Sequence, residues 1–214
     1  MAHSGESFIG IQVAARAPKL YSAYIGVSQM SDQLKSEQLA HEYMLQQYTL
    51  SGNKKMMQKL ENALVIESTP ENYLKLRDVA MHSFGIGTMH NMKSVFTGIF
   101  VPSLLCKEYT LREKYNLWAG KSRSGVSSLW TEMLLTNMMI KVPKLDIPVY
   151  FFEGVYDYTV SYTLAKDYFG DLQAPIKGFY SFKKSAHSPI FEEPERIKEI
   201  ILKNVLIGTN SLAN

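Results

Sequence analysis

Val149-Tyr150-Phe151-Phe152, entered from Pro148 and closed by Gly154, is a continuous apolar run of strand length. A run of this kind bounded by turn residues fits a strand buried on both faces. Downstream, residues 161–169 suit a helix ended by Gly170, Gly178-Phe179-Tyr180-Ser181-Phe182 reads as a second strand, and a last helix starts near Pro194 and runs through Ile197, Ile200 and Ile201. Strand, helix, strand, helix predicts a parallel sheet with right-handed crossovers, in which function gathers at the carboxyl ends of the strands. Upstream, Ala23-Tyr24-Ile25-Gly26-Val27-Ser28 reads as a short buried strand, preceded by the helix-like stretch Phe8-Ile9-Gly10-Ile11-Gln12-Val13-Ala14-Ala15 that stops near Pro18. The fold class is therefore α/β.

Between these flanks, from about Met30 to Val142, the hydrophobic period is helical. Ala40, Tyr43, Met44 and Tyr48 share one helix face, and Tyr73, Leu76, Ala80 and Phe84 share another. Thr69-Pro70 is read as an N-cap followed by proline at the first helical position, Gly85 as a helix stop, and Thr110-Leu111-Arg112-Glu113 as a capping box. The chain thus divides into 1–29 (core), 30–142 (helical module) and 143–214 (core). Most of the eleven methionines fall in the module, including Met56, Met57, Met138 and Met139. Adaptable core packing is preferred for them over a pliable apolar pocket.

Composition narrows the function classes. The chain has 214 residues, 46% of them hydrophobic, with 23 Lys and Arg against 20 Asp and Glu and a net charge of +3. Disorder is excluded, and basic residues come in no run longer than the pairs Lys54-Lys55 and Lys183-Lys184, so no footprint for nucleic acid or an anionic membrane is present. The lone Cys106 excludes an internal disulfide and a four-thiolate zinc site. No stretch reaches the length of a membrane span, and Met1-Ala2-His3-Ser4 lacks a cationic signal-peptide start, so a cytoplasmic protein is expected.

Asp157 and His187 each lie just past the carboxyl end of a late strand. A carboxylate and an imidazole from adjacent strands can hydrogen-bond, the Asp fixing the tautomer of the His and steadying its imidazolium. Ser4 can supply the nucleophile if the helix that follows it is the one after a nucleophile turn. The order Ser, Asp, His is that of the α/β-hydrolases.

His3-Ser4-Gly5-Glu6-Ser7-Phe8-Ile9-Gly10 resembles the nucleophile elbow and first helical turn of α/β-hydrolases of the proline iminopeptidase-like group, and Asp157 and His187 stand in contexts similar to that group's acid and base. The resemblance implies a partial α/β-hydrolase fold, beginning at the elbow and carrying a helical cap over residues 30–142. It also implies a serine hydrolase acting on an ester or an N-terminal aminoacyl peptide bond of a small molecule or short peptide. Ser4, Asp157 and His187 would be its triad and the Gly5 backbone amide an oxyanion donor, with no metal or cofactor. In that pattern the helix after the serine ends at a proline matching Pro18, which favours Ser4 over Ser7 as nucleophile; Ser7 is expected to satisfy backbone groups near a helix start.

Several expectations follow from the departures. Ala2 and Glu6 stand where the elbow pattern has small residues, so Glu6 must point to solvent or distort the turn. Only three parallel strands are countable, so the strand at Ala23 is expected to present an apolar edge open to self-association, Ser4 to lack an anchoring strand, and the second oxyanion donor to be missing. The expectation is a truncated hydrolase with little turnover of its own. A catalytically silent module keeping the cap and half the sheet is the other function class. His3 is expected to pack; His41, His82 and His90, without metal-ligand spacing, are expected to be structural. Glu192-Glu193 is read as favouring the helix start at Pro194, with Glu153 near Asp157 noted as a further carboxylate.

Overall fold

The computed structural model describes residues 1–124 and 128–214. Its centre is a four-stranded, wholly parallel sheet in the order β1 (Ala2–His3), β2 (Tyr24–Val27), β3 (Val149–Gly154), β4 (Lys177–Phe182). Tyr24 stands opposite Val149 and Val149 opposite Lys177, so the carboxyl ends of β2, β3 and β4 emerge on one side. All residues of β2 and β3 are buried, as expected for interior strands of a sheet covered on both faces.

Side-chain alternation along β3 supplies the two cores. Val149 and Phe151 face a layer containing Phe8 and Ile11 of α1 (Gly5–Arg16) and Tyr168 of the later helix 162–171. Tyr150 and Phe152 face the opposite layer with Ile25, Val27, Tyr180, Phe182, Ile197 and Ile200. Each fully buried ring contributes on the order of 1.5–3 kcal/mol, which makes β3 the element around which the rest packs.

Between β2 and β3 the described regular elements are helices: α2 (Gln33–Leu50), α3 (Lys54–Glu61), α4 (Glu71–Phe84), a π-helical turn at Phe96–Phe100 leading into α5 (Val101–Leu105), α6 (Leu111–Ser124), α7 (Ser128–Leu134) and α8 (Met138–Lys141). The two predicted helix faces meet in one cluster with Leu60 and Met81. Thr110 and Glu113 form the reciprocal capping box, Glu113 N–H donating to Thr110 Oγ1 at 3.3 Å and Thr110 N–H to Glu113 Oε2 at 2.8 Å. Gly85 ends α4 in the left-handed region, at φ 68°. The start of α4 differs by one residue from the reading of Thr69-Pro70: Pro70 is the N-cap, and Thr69 Oγ1 instead accepts from Trp130 Nε1. After β3 come α9 (Tyr162–Asp171), which passes Gly170, then α10 (Pro189–Glu192) and α11 (Pro194–Ile200), which is extended by a π-helical turn at Ile201–Val205.

One expectation is corrected. The β2 edge is covered at its carboxyl end, because β1 pairs with β2 in parallel, Ala2 against Gly26 and His3 against Val27. Two residues carry too short an apolar run to signal a strand, yet they suffice to anchor Ser4, whose N–H donates to Val27 O at 3.0 Å. Among the described residues no helix is long and apolar enough to cross a membrane.

Candidate active site

Ser4 sits between β1 and α1 with φ 57° and ψ −130°, a sparsely populated conformation for a residue with a side chain. This is the sharp strand-to-helix turn that lifts a serine hydroxyl clear of the backbone. Three contacts hold it. Ser4 N–H is tied to Val27, Ser4 O accepts from Ser7 N–H at 2.8 Å and from Ser7 Oγ at 2.6 Å, and Ser7 Oγ in turn accepts from Met30 N–H at 2.9 Å. Ser7 therefore has the backbone-satisfying role expected of it. Glu6 is exposed, so it leaves the turn undistorted. The close approach of helix and strand falls at Gly10 instead, where an added β-carbon would lie 2.7 Å from that of Ala2.

Asp157 follows β3 and His187 follows β4, and the sheet brings both to Ser4. His187 Nε2 lies 2.7 Å from Ser4 Oγ, and His187 Nδ1 lies 2.8 Å from Asp157 Oδ2. An ionised carboxylate only accepts, so Nδ1 carries the proton and Nε2 is left to accept from the serine hydroxyl. Asp157 is buried. Burial alone pushes its carboxyl up, but the His187 ring and the Val160 N–H favour the charged form and leave it below the ordinary value. Its other oxygen, Oδ1, accepts from Thr159 N–H at 2.8 Å and Val160 N–H at 3.2 Å. Gly5, the first residue of α1, has a backbone N–H without an intrahelical partner, next to Ser4. The sulfur of Met133, in α7, would stand 3.7 Å from a β-carbon added at Gly5.

The surrounding layer contains contacts that sequence reasoning missed. Gly154 closes β3 against the loop after β4: an added β-carbon would run into the Ala186 carbonyl and lie 2.6 Å from that of Ser185. Glu192 accepts from Ala186 N–H at 2.9 Å and His90 N–H at 2.6 Å, and Glu193 accepts from Lys184 N–H and Ser185 Oγ. These two acids thus brace the loop before His187 as well as preceding Pro194. Glu153 is fully buried, its Oε1 accepting from Gln29 N–H at 2.9 Å. Burial first, and then the neighbouring Asp157 charge, hold its carboxyl well above the ordinary range, which favours its neutral form. An acidic residue inside an apolar strand was the available signal. Gln33 Nε2 links the helical module to the loop after β3, donating to Glu37 and to Thr159 O at 2.9 Å each. His41, His82 and His90 bond to backbone carbonyls, of Leu60, Asp78 and Gly85 respectively. Among the described residues no group of three or more His, Cys, Asp or Glu could hold a metal ion.

Comparison with known proteins bears on the fold. The Bacillus subtilis (strain 168) protein YbaC, a probable aminopeptidase, is 26% identical over 196 residues, which is 90% of this chain and 60% of that protein. The crystal structure of VinJ superposes with a TM-score of 0.55 at 15% identity, covering 94% of this chain and 62% of the other. A proline iminopeptidase from Mycobacterium smegmatis gives a TM-score of 0.53 at 12% identity, covering 93% and 61%. No protein-family model matches the chain. The chain has a partial α/β-hydrolase fold, spans about 60% of the length of these relatives, and its resemblance to the proline iminopeptidase-like group is supported.

Proposed function

We propose that this chain carries the centre of a serine hydrolase that cleaves an ester or the N-terminal aminoacyl bond of a small molecule or short peptide. The observation that supports it is the hydrogen-bonded line Ser4 Oγ, His187 Nε2, His187 Nδ1, Asp157 Oδ2, with steps of 2.7 and 2.8 Å between three segments far apart in sequence. As the Ser4 oxygen attacks the carbonyl carbon, its proton passes to His187 Nε2, and Asp157 stabilises the imidazolium that results. The Gly5 N–H donates to the oxyanion that forms. His187 then returns its proton to the departing alcohol or amine, leaving an acyl group on Ser4. Water, deprotonated by His187 in turn, attacks that acyl group and restores the hydroxyl.

The aminoacyl preference draws on the similarity to a probable aminopeptidase and a proline iminopeptidase. Turnover of p-nitrophenyl esters and of aminoacyl p-nitroanilides, with free and acetylated amino groups, tests it. Slow hydrolysis of a free-amino substrate in preference to its acetylated form, with the Gly5 N–H as oxyanion donor and abolished in Ser4→Ala and His187→Ala, is the expected result. Release that survives Ser4→Ala, or wild-type protein inert toward every substrate, would overturn the proposal.

A further inference from the structure

The ring of His187 faces Ser4 and Asp157, but the ring can be no better placed than the peptide that bears it. That peptide is held on both sides. Its N–H donates to Gly87 O, in the cap, at 3.2 Å. Its carbonyl accepts two side-chain hydrogen bonds of 2.8 Å each, one from His3 Nε2 and one from Ser28 Oγ. A main-chain carbonyl has two lone pairs, and both are used here by side chains from other segments.

The origin of the two donors gives them meaning. His3 is the last residue of β1, immediately before Ser4, and its ring lies 5.0 Å from that of His187, centroid to centroid. Ser28 directly follows β2, and its own N–H donates to Phe152 O, in the strand that leads to Asp157. One carbonyl oxygen therefore joins the serine-bearing strand, the base loop and, through Ser28, the acid-bearing strand. Resting on the triad reading above, we propose that His3 and Ser28 are positioning residues, a two-point clamp on the His187 carbonyl that fixes the imidazole between Ser4 Oγ and Asp157 Oδ2.

Two features support it. A carbonyl can only accept, so His3 carries its proton on Nε2; burial and the adjacent His187 ring hold the His3 pKa below its ordinary value and so keep the ring neutral in that tautomer. Ser28 adopts φ 48°, in the left-handed region where glycine is at ease and serine is uncommon. What serine has there and glycine lacks is the hydroxyl that reaches His187.

The strained backbone separates positioning from structural support. Ser28→Ala and Ser28→Gly both delete the hydroxyl, while Gly alone relieves the backbone, so the Gly variant should unfold at a higher temperature than the Ala variant. In the full chain, carbon-13 and nitrogen-15 NMR would follow the His187 carbonyl and both ring nitrogens, and reaction of Ser4 with a fluorophosphonate would be timed. The clamp predicts that both Ser28 variants and His3→Ala move the His187 carbonyl upfield, shift its Nδ1 and Nε2 signals, and slow labelling on the order of tenfold. The loss should be equal in the two Ser28 variants despite their different stabilities. Ring signals unchanged in all three variants would overturn the clamp, as would labelling rates that simply follow unfolding temperature. Wild-type protein that is never labelled would instead count against the hydrolase reading, and the ring signals would still decide the clamp.

Discussion

Replacing Gly154 by alanine adds one carbon at the point where β3 meets the base loop. That carbon would overlap the Ala186 carbonyl and lie 2.6 Å from the Ser185 carbonyl. Both obstacles are backbone, so no side-chain rotation can clear them. The loop must retreat on the order of 1 Å, since close-packed interiors offer no slack. His187 is the next residue after Ala186, and its contacts of 2.8 Å to Asp157 and 2.7 Å to Ser4 would stretch beyond hydrogen-bonding range. Overpacking of this kind costs about 1–3 kcal/mol, which for a chain of this size lowers the unfolding temperature by about 2–12 °C. Displacing a catalytic group by about 1 Å costs on the order of a hundredfold in rate. Differential scanning fluorimetry, the low-field Nδ1 proton resonance of His187, and the rate of fluorophosphonate labelling read these three effects. A Gly154→Ala protein with wild-type unfolding temperature and an unchanged low-field resonance would refute the steric reasoning.

Gly10→Ala sets two effects against each other: helix propensity gains about 1 kcal/mol, whereas the added carbon 2.7 Å from Ala2 costs about 1–3 kcal/mol, so urea denaturation should show net destabilisation. Burial raises the Glu153 pKa above the ordinary 4.5 at which the unfolded chain releases its proton. Its contribution to stability is therefore fully present below 4.5 and is lost as pH rises toward the folded-state value, at up to about 1.4 kcal/mol per pH unit. Urea midpoints measured at several pH values above 4.5 should fall less steeply for Glu153→Gln than for wild type, and parallel curves would contradict a raised Glu153 pKa. Asp157→Asn should leave the fold intact and slow acylation of Ser4 by about 10³–10⁴-fold, through loss of the tautomer that Asp157 holds; stopped-flow burst kinetics would measure it.

The interior strands were readable because each is a continuous apolar run with a proline or glycine near its ends, and the helical module because its period changes at both borders. Two residues of β1 carry no such pattern; their strand exists only through pairing with Gly26 and Val27. Asp157 and His187 were legible because both follow strand ends, and Ser4 through chain order and its motif. Of the two outcomes open to Glu6, its side chain goes to solvent, while the close approach of helix and strand falls at Gly10, which turns toward Ala2 and Tyr24. Ser28 and Gln29 left no local trace. Their partners, His187 and Glu153, are 159 and 124 residues away, and sheet adjacency alone brings them together.

The most direct measurement is intact-mass and peptide-level analysis of the chain after exposure to a fluorophosphonate. An activated Ser4 predicts a single adduct per chain, located on Ser4, absent from Ser4→Ala and strongly slowed in His187→Ala. An adduct located on Ser7, or labelling of the His187→Ala protein at the wild-type rate, would contradict a Ser4, His187 and Asp157 centre.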